Sequence, residues 1–249
     1  GIGNAGKISA LGGDVILIAH SVENTGQIIA PRGTVAMTAG SEVLLQPGGQ
    51  ENIFVRAGGS PASVGIDQKG QIEAASIELN AARGNVYGLA INNEGIVRAT
   101  NVEKRGGRVY LTAEGGVVLN SGELIAKQAD KGGEVRIVAE GITLKSGSRI
   151  DVNGQAGGGT ALIGGDSQGA NPDVYNAANT TVEAGARISA DALSQGDGGK
   201  VVVWADQASL FYGDISAKGG AFGGDGGSAE VSGGYLDYQG VANLTAPRG

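Results

Sequence analysis

The chain has 249 residues, of which 48 are Gly, and carries a formal charge of −7 from 18 basic and 25 acidic residues. With no Cys, one His, one Trp and one Met, it cannot be a disulfide scaffold, a Cys-ligated zinc or iron–sulfur protein, or a thiol enzyme. Net negative charge without a Lys/Arg cluster argues against nucleic acid as a partner, and glycines in no three-residue period exclude collagen.

Val, Ile and Leu recur in alternation, so there is apolar surface to bury and the chain is not disordered. The longest apolar runs are about five residues, against roughly 20 for a membrane span. The sequence begins at Gly1 with no Lys/Arg-led apolar stretch. It is expected to be an internal piece of a longer protein.

In chain order, alternation marks strands at Asp14–Ala19, Thr34–Ala39, Arg108–Ala113, Glu134–Ala139 and Lys200–Ala205. In each, residues i, i+2 and i+4 face one way. No window sustains the i, i+3, i+4, i+7 stripe of a helix, so the fold class is all-β. A second signal reads Asn, any, Gly, any, aliphatic, any, Ala. It appears at Asn4–Ala10, Asn24–Ala30, Asn93–Ala99 and Asn120–Ala126, with weaker copies at Gly70–Ala74, 147–150, 185–190, Gly213–Ala217 and 240–246.

The repeated glycines stand at 6, 26, 70, 95, 122, 147, 185, 213 and 240. A period of 20–28 residues emerges when the 44-residue interval from Gly26 to Gly70 is read as two units with a turn near Pro47-Gly48-Gly49. The 38-residue interval from Gly147 to Gly185 reads as one unit with an insertion. One coil per unit is the pattern of a parallel β-helix, here of roughly 10–11 coils stacked at about 4.8 Å. Small inward Ala narrows the corners, and Asn there bonds backbone or stacks on the next coil's Asn. The expected organisation is a single β-helix over 1–249 with a projecting loop at 168–178.

The stretch Asn24–Gly40 resembles the haemagglutination-activity region of filamentous-haemagglutinin-type exoproteins, the secreted partners of two-partner secretion systems. So do Gly198–Asp206 with Phe211-Tyr212-Gly213, and Gly223–Gly227 running to Val231-Ser232-Gly233. This resemblance implies a right-handed parallel β-helix, exported through an outer-membrane β-barrel transporter and ending secreted or on the outer cell surface as an adhesin. The family's Asn-Pro-Asn-Gly type motif is absent. The one Asn-Pro is Asn171-Pro172-Asp173, so the chain is expected to start after that motif.

Candidate chemistry is sparse. His20 follows a strand and reads as a solvated corner residue. Glu73 and Glu78, Glu134 and Glu140, or Asp191 and Asp197 are spread one or two per coil, as on a solvated face; a hydrolytic pair would have to lie roughly 5–9 Å apart. Gly196–Gly199 and Gly223–Gly227 lack the nine-residue tandem spacing of calcium repeats. The ligand-facing candidates are the aromatics Trp204, Phe211, Tyr212, Tyr235 and Tyr238, because exposed rings stack on sugars; inward stacking is the competing assignment.

The resulting expectation is a structural and adhesive rod with no catalysis, cofactor or metal. Its expected partners are the transporter, a host-cell, carbohydrate or matrix receptor, and another copy end to end. The alternative is a polysaccharide-binding or polysaccharide-cleaving β-helix module. The alternation also implies that Val135 and Ile137 point inward, and that Arg136 points outward and tolerates substitution.

Overall fold

Three strand-lined faces surround one apolar interior in the computed structural model, which describes residues 1–40, 42–45, 53–56, 65–81, 89–101 and 107–248. The first face stacks Ile2–Asn4, Val22–Asn24, Ile66–Gln68, Leu89–Asn93, 117–120, 141–144, Asn179–Val182, 208–211 and 235–238, all parallel. The second begins with Lys7–Ser9, 27–30 and 71–74. It continues through Ile96–Asn101, Glu123–Gln128, Arg149–Asp151, Arg187–Ser189, Asp214–Ser216 and Val241–Asn243. The third face holds Val15–Ala19, 34–39, 76–81, 108–113, 134–139, Thr160–Ile163, 200–205 and 228–233. This is a parallel β-helix. The alternating strands of the sequence are the third face, and the Asn-x-Gly signal is the corner leading into the second.

The coil count needs correction. Asn24 pairs directly with Gln68, and Ile28 with Ile72, so no coil lies between them. The 44-residue interval is one coil plus an excursion that includes the antiparallel pair Glu42–Leu45 and Ile53–Arg56. The described residues therefore form nine levels rather than 10–11. The turn expected at Pro47-Gly48-Gly49 lies outside the described residues.

Inward residues form ladders because parallel coils in register place identical positions about 4.8 Å apart. On the second face the ladder Ile28, Ile72, Val97, Leu124, Ile150 and Ile188 is almost wholly buried, flanked by Ala30, Ala74, Ala99 and Ala126. On the third, Met37, Leu79, Leu111, Ile137, Ile163 and Val203 do the same. Each such aliphatic side chain contributes about 1.5–3 kcal/mol by leaving water, and each is covered only by the coils above and below.

The first face carries a polar ladder. Asn4 Nδ2 donates to Asn24 Oδ1 at 2.8 Å, Asn24 Nδ2 to Gln68 Oε1 at 2.7 Å, and Asn93 Nδ2 to Asn120 Oδ1 at 2.7 Å. The chain of amides breaks at the longer Gln68, whose Nε2 turns back to the Gly70 carbonyl at 2.9 Å. Asn93 Oδ1 is left buried without a donor among the described residues. Above Asn120 the same column becomes Leu144, Val182, Phe211 and Tyr238. The buried polar position moves to the neighbouring column, where Thr180 Oγ1 and Ser209 Oγ donate to the carbonyls of Trp204 and Ser232, each at 2.8 Å.

The corners change with the ladder. Where an amide is present the turn is Asn-x-Gly or, at Gln68, Gln-x-Gly, tight enough that a Cβ on Gly26, Gly70, Gly95 or Gly122 would lie 2.0–2.2 Å from the carbonyl of the glycine below. Where Leu144 and Val182 replace the amide, the corner lengthens and turns through Gly147 and Gly185 at φ +84° and +87°. Lys145 and the Ser146 N–H then bind Glu183 across the two longer corners at 2.6 and 2.9 Å.

Val135 and Ile137 are fully buried, but Arg136 is not the neutral surface residue that its outward position implied. Its Nη2 donates to Glu134 Oε1 at 2.8 Å, and its guanidinium lies 4.9 Å from the Tyr110 ring centroid. Tyr110 Oη donates to Glu134 Oε2 at 2.9 Å, closing a three-residue cluster.

Urea titration of four substitutions checks the ladders and the Arg136 cluster. Val135→Asp leaves an unpartnered carboxylate between coils and should abolish the cooperative transition, whereas Arg136→Ala should cost about 1 kcal/mol. Along the amide column, Asn24→Ala strands its two amide neighbours and should cost about 2–3 kcal/mol. Gln68→Asn supplies Asn93 Oδ1 with a donor at native spacing and should stabilise by about 0.5–1 kcal/mol. A lower midpoint for Gln68→Asn would contradict the ladder.

Candidate functional site on the outer surface

The interior is filled by side chains, so any site must be built on the outside. Outward positions of the third face are themselves covered in part: Val138, Leu162 and Val202 point away from the core yet are buried. Residues 164–178 lie across them. This segment leaves the face after Ile163, makes a short turn at Ser167–Gly169, and rejoins the stack at Ala177 and Ala178, which bond to Gly164 and Glu140.

A network of polar bonds pins the segment down. Lys200 Nζ meets Asp166 Oδ1 at 2.6 Å, Asn171 Nδ2 donates to Asp166 Oδ2 at 2.9 Å, and the Ser167 N–H donates to Asp166 at 2.7 Å. Together Asn171, Lys200 and the Ser167 amide hold the Asp166 carboxyl down at about 2. Tyr175 Oη donates to Glu140 at 2.5 Å; burial, with Glu140 next, pushes this phenol up to about 12. The Gln168 N–H reaches Glu230 at 2.8 Å.

Trp204 is the ledge for this segment. Its indole Nε1 donates to Asp206 Oδ1 at 2.8 Å, and Gly165 and Gly169 press on its ring so closely that a Cβ on Gly169 would come within 2.5 Å of it. Trp204 therefore serves packing.

The other aromatic candidates divide. Phe211 is fully buried and stacks on Tyr238, with centroids 5.2 Å apart and planes 10° from parallel. Both occupy the inward column, so neither belongs to an outward strip. Tyr212 and Tyr235 do face outward, Tyr235 with 61% of its surface exposed. Tyr212 Oη donates to Asp237 Oδ2 at 2.8 Å, and this bond to the carboxylate raises the phenol's pKa. Gln239 Nε2 donates to Asp237 Oδ1 at 3.0 Å. Asp237 and Gln239 were missed in the sequence, though their i+2 and i+4 spacing from Tyr235 places them on one side of a strand.

The candidate acids are engaged in structure. Glu134 binds Tyr110 and Arg136. Asp191 accepts from Ser216 Oγ at 2.6 Å and the Lys218 N–H at 2.7 Å, and Asp197 accepts from the Asp225 N–H at 2.8 Å. Glu73 lies beside Arg98 on the second face, in a shallow hollow that also involves Gln27, Gln71 and Ile96. His20 is exposed at its corner. Among the described residues no three His, Asp or Glu side chains converge.

No protein-family model matches the sequence, and no curated protein matches it. Among solved structures, the chain is similar to the crystal structure of the HMW1 secretion domain from Haemophilus influenzae, with a TM-score of 0.65 and 25% sequence identity. The similarity covers 96% of this chain and 63% of that one. The likeness thus runs through nearly the whole stack, while this chain spans less than two thirds of its neighbour.

Because Trp204 is the sole Trp, its fluorescence reports the covering segment. The Asp166 carboxyl titrates below its ordinary value of 3.8, so the network is intact above that pH and weakens as pH falls through about 2. Emission should stay constant from neutral pH to about 4 and then shift to the red. Lys200→Ala should move that shift upward in pH. An unchanged midpoint would mean that the Lys200 pair does not hold the segment.

Proposed function

We propose that this chain is a segment of a large exoprotein of a two-partner secretion system. It passes unfolded through an outer-membrane β-barrel transporter and stands, secreted or on the outer cell surface, as a structural and adhesive rod without catalysis. The observation that carries this reading is the likeness to a secretion domain over 96% of the chain at 25% identity.

The physics of the stack supports the same route. Every rung's partners lie one coil away, as in Arg149 with Arg187 or Asp214 with Val241, so an emerging coil can add to a finished template. Residues 1–249 act as one β-helical unit, with 168–178 as an inserted loop, and need neither metal nor disulfide to fold. The final coil leaves Leu236, Tyr238, Val241 and Leu244 exposed. As an excised piece, the 249-residue chain is expected to associate end to end with another copy at high concentration, through the strand edge that its last coil leaves open.

Export tests the proposal. Placed behind a secretory signal peptide and a two-partner-secretion amino-terminal segment that carries the Asn-Pro-Asn-Gly type motif, the chain should reach the medium only when the matching transporter is co-expressed, and accumulate in the periplasm without it. Release that is independent of the transporter, or retention in its presence, would overturn the reading.

A further inference from the structure

We infer that the outer side of the first face, at its last two levels, is a platform for a neutral oligosaccharide. Tyr235, Asp237 and Gln239 occupy alternate positions of the final coil. They sit over Ala208, Leu210 and Tyr212 of the coil before, in pairs set by the register Ala208 with Tyr235 and Leu210 with Asp237 and by the bond from the Gln239 N–H to the Phe211 carbonyl. With Gln239 at the corner just past the strand that ends at Tyr238, and at about 3.4 Å per residue and about 4.8 Å between coils, this patch extends on the order of 10 Å along the strand and two strands across. That is room for two pyranose rings.

The chemistry of the patch matches a sugar. The apolar faces of pyranose rings need flat, exposed hydrocarbon, and Tyr235 offers it with 61% of its surface in solvent; a Tyr ring does so at low conformational cost. Leu210 is an apolar position between Ala208, the partner of Tyr235, and Tyr212. Hydroxyl groups need fixed acceptors and donors, and Asp237 is held from both sides by Tyr212 Oη at 2.8 Å and Gln239 Nε2 at 3.0 Å. Each of its oxygens accepts further bonds, so the carboxylate is oriented before a ligand arrives and little freedom is lost on binding.

Charge selects against acidic sugars. Asp237 sits at the centre of the patch on a chain of charge −7, and the platform itself carries no cation. A sulfated or uronic-acid chain would meet repulsion there. The platform does not depend on the export route: it would bind sugar whether or not a transporter delivers the chain.

Isothermal titration of the 249-residue chain with maltohexaose, cellohexaose and chitohexaose, and with a hyaluronan hexasaccharide as the acidic comparison, tests the inference. Saturable binding of at least one neutral probe is expected by about 10 mM, without binding of hyaluronan. Tyr235→Ala should weaken that binding about tenfold or more, and Gln239→Ala, a second exposed substitution, should weaken it by a smaller factor. Circular dichroism should show both variants folded. No saturable binding of any neutral probe, binding of hyaluronan alone, or an affinity unaltered in Tyr235→Ala would overturn the inference.

Discussion

At the glycine corners the backbone of one turn rests directly on the backbone of the next, and the rest of the stack is arranged around that contact. One column runs through Gly6, Gly26, Gly70, Gly95 and Gly122, and the other through Gly107, Gly133, Gly159, Gly199 and Gly227. From Gly26 onward in the first column and from Gly133 onward in the second, a Cβ would fall 2.0–2.2 Å from the carbonyl oxygen of the glycine below, far inside any allowed separation. Glycine is required there for close approach, and most of these glycines have ordinary negative φ. Once the corners are seated at backbone spacing, the strands between them are in register. Inward side chains of like size then meet like, as in the Ile28 and Met37 ladders.

The interior is less uniform than the corners. Its buried polar column begins as amides that bond along the stack and ends as hydroxyls that bond carbonyls in the next column. The exchange occurs between Asn120 and Thr180, the same interval in which the corner lengthens at Gly147 and Gly185. The short corner returns without an amide at Phe211-Tyr212-Gly213 and Tyr238-Gln239-Gly240, so the lengthening is confined to the levels of Leu144 and Val182. On the outside, the segment 164–178 covers Leu162 and Val202, so the third face has apolar residues on both sides and becomes a three-layered part of the rod.

How much of this could be read from the residues depends on the feature. The faces were legible because each leaves its own signal: Val-x-Leu-x-Ala on the third, Gly-x-Ile-x-Ala on the second. The identity of the inner and outer aromatics was not, because parity does not survive a corner. Val203 and Ala205 are inward, and so are Ser209 and Phe211 after a two-residue corner. In the next coil, Val231 is inward but so are Leu236 and Tyr238, because the corner there is one residue shorter. That single residue decides that Tyr235 faces solvent while Tyr238 stacks on Phe211. The excursion after Gly40 was misread for a related reason: an insertion of about one coil's length is indistinguishable from a coil when only spacing is counted.

The register across that excursion is the most exposed part of the account, since the whole stack shifts by one level if it is wrong. The chain has no Cys, so a pair introduced as Gln27→Cys and Gln71→Cys reports on one contact alone. Those two positions are direct partners on the outer side of the second face, about 4.8 Å apart, within the span a disulfide bridges. Mild oxidation should close the bond quantitatively in the folded protein, with loss of two hydrogens in the intact mass and no loss of stability. If a further coil lay between them the positions would stand about 9.6 Å apart, and no bond would form without unfolding.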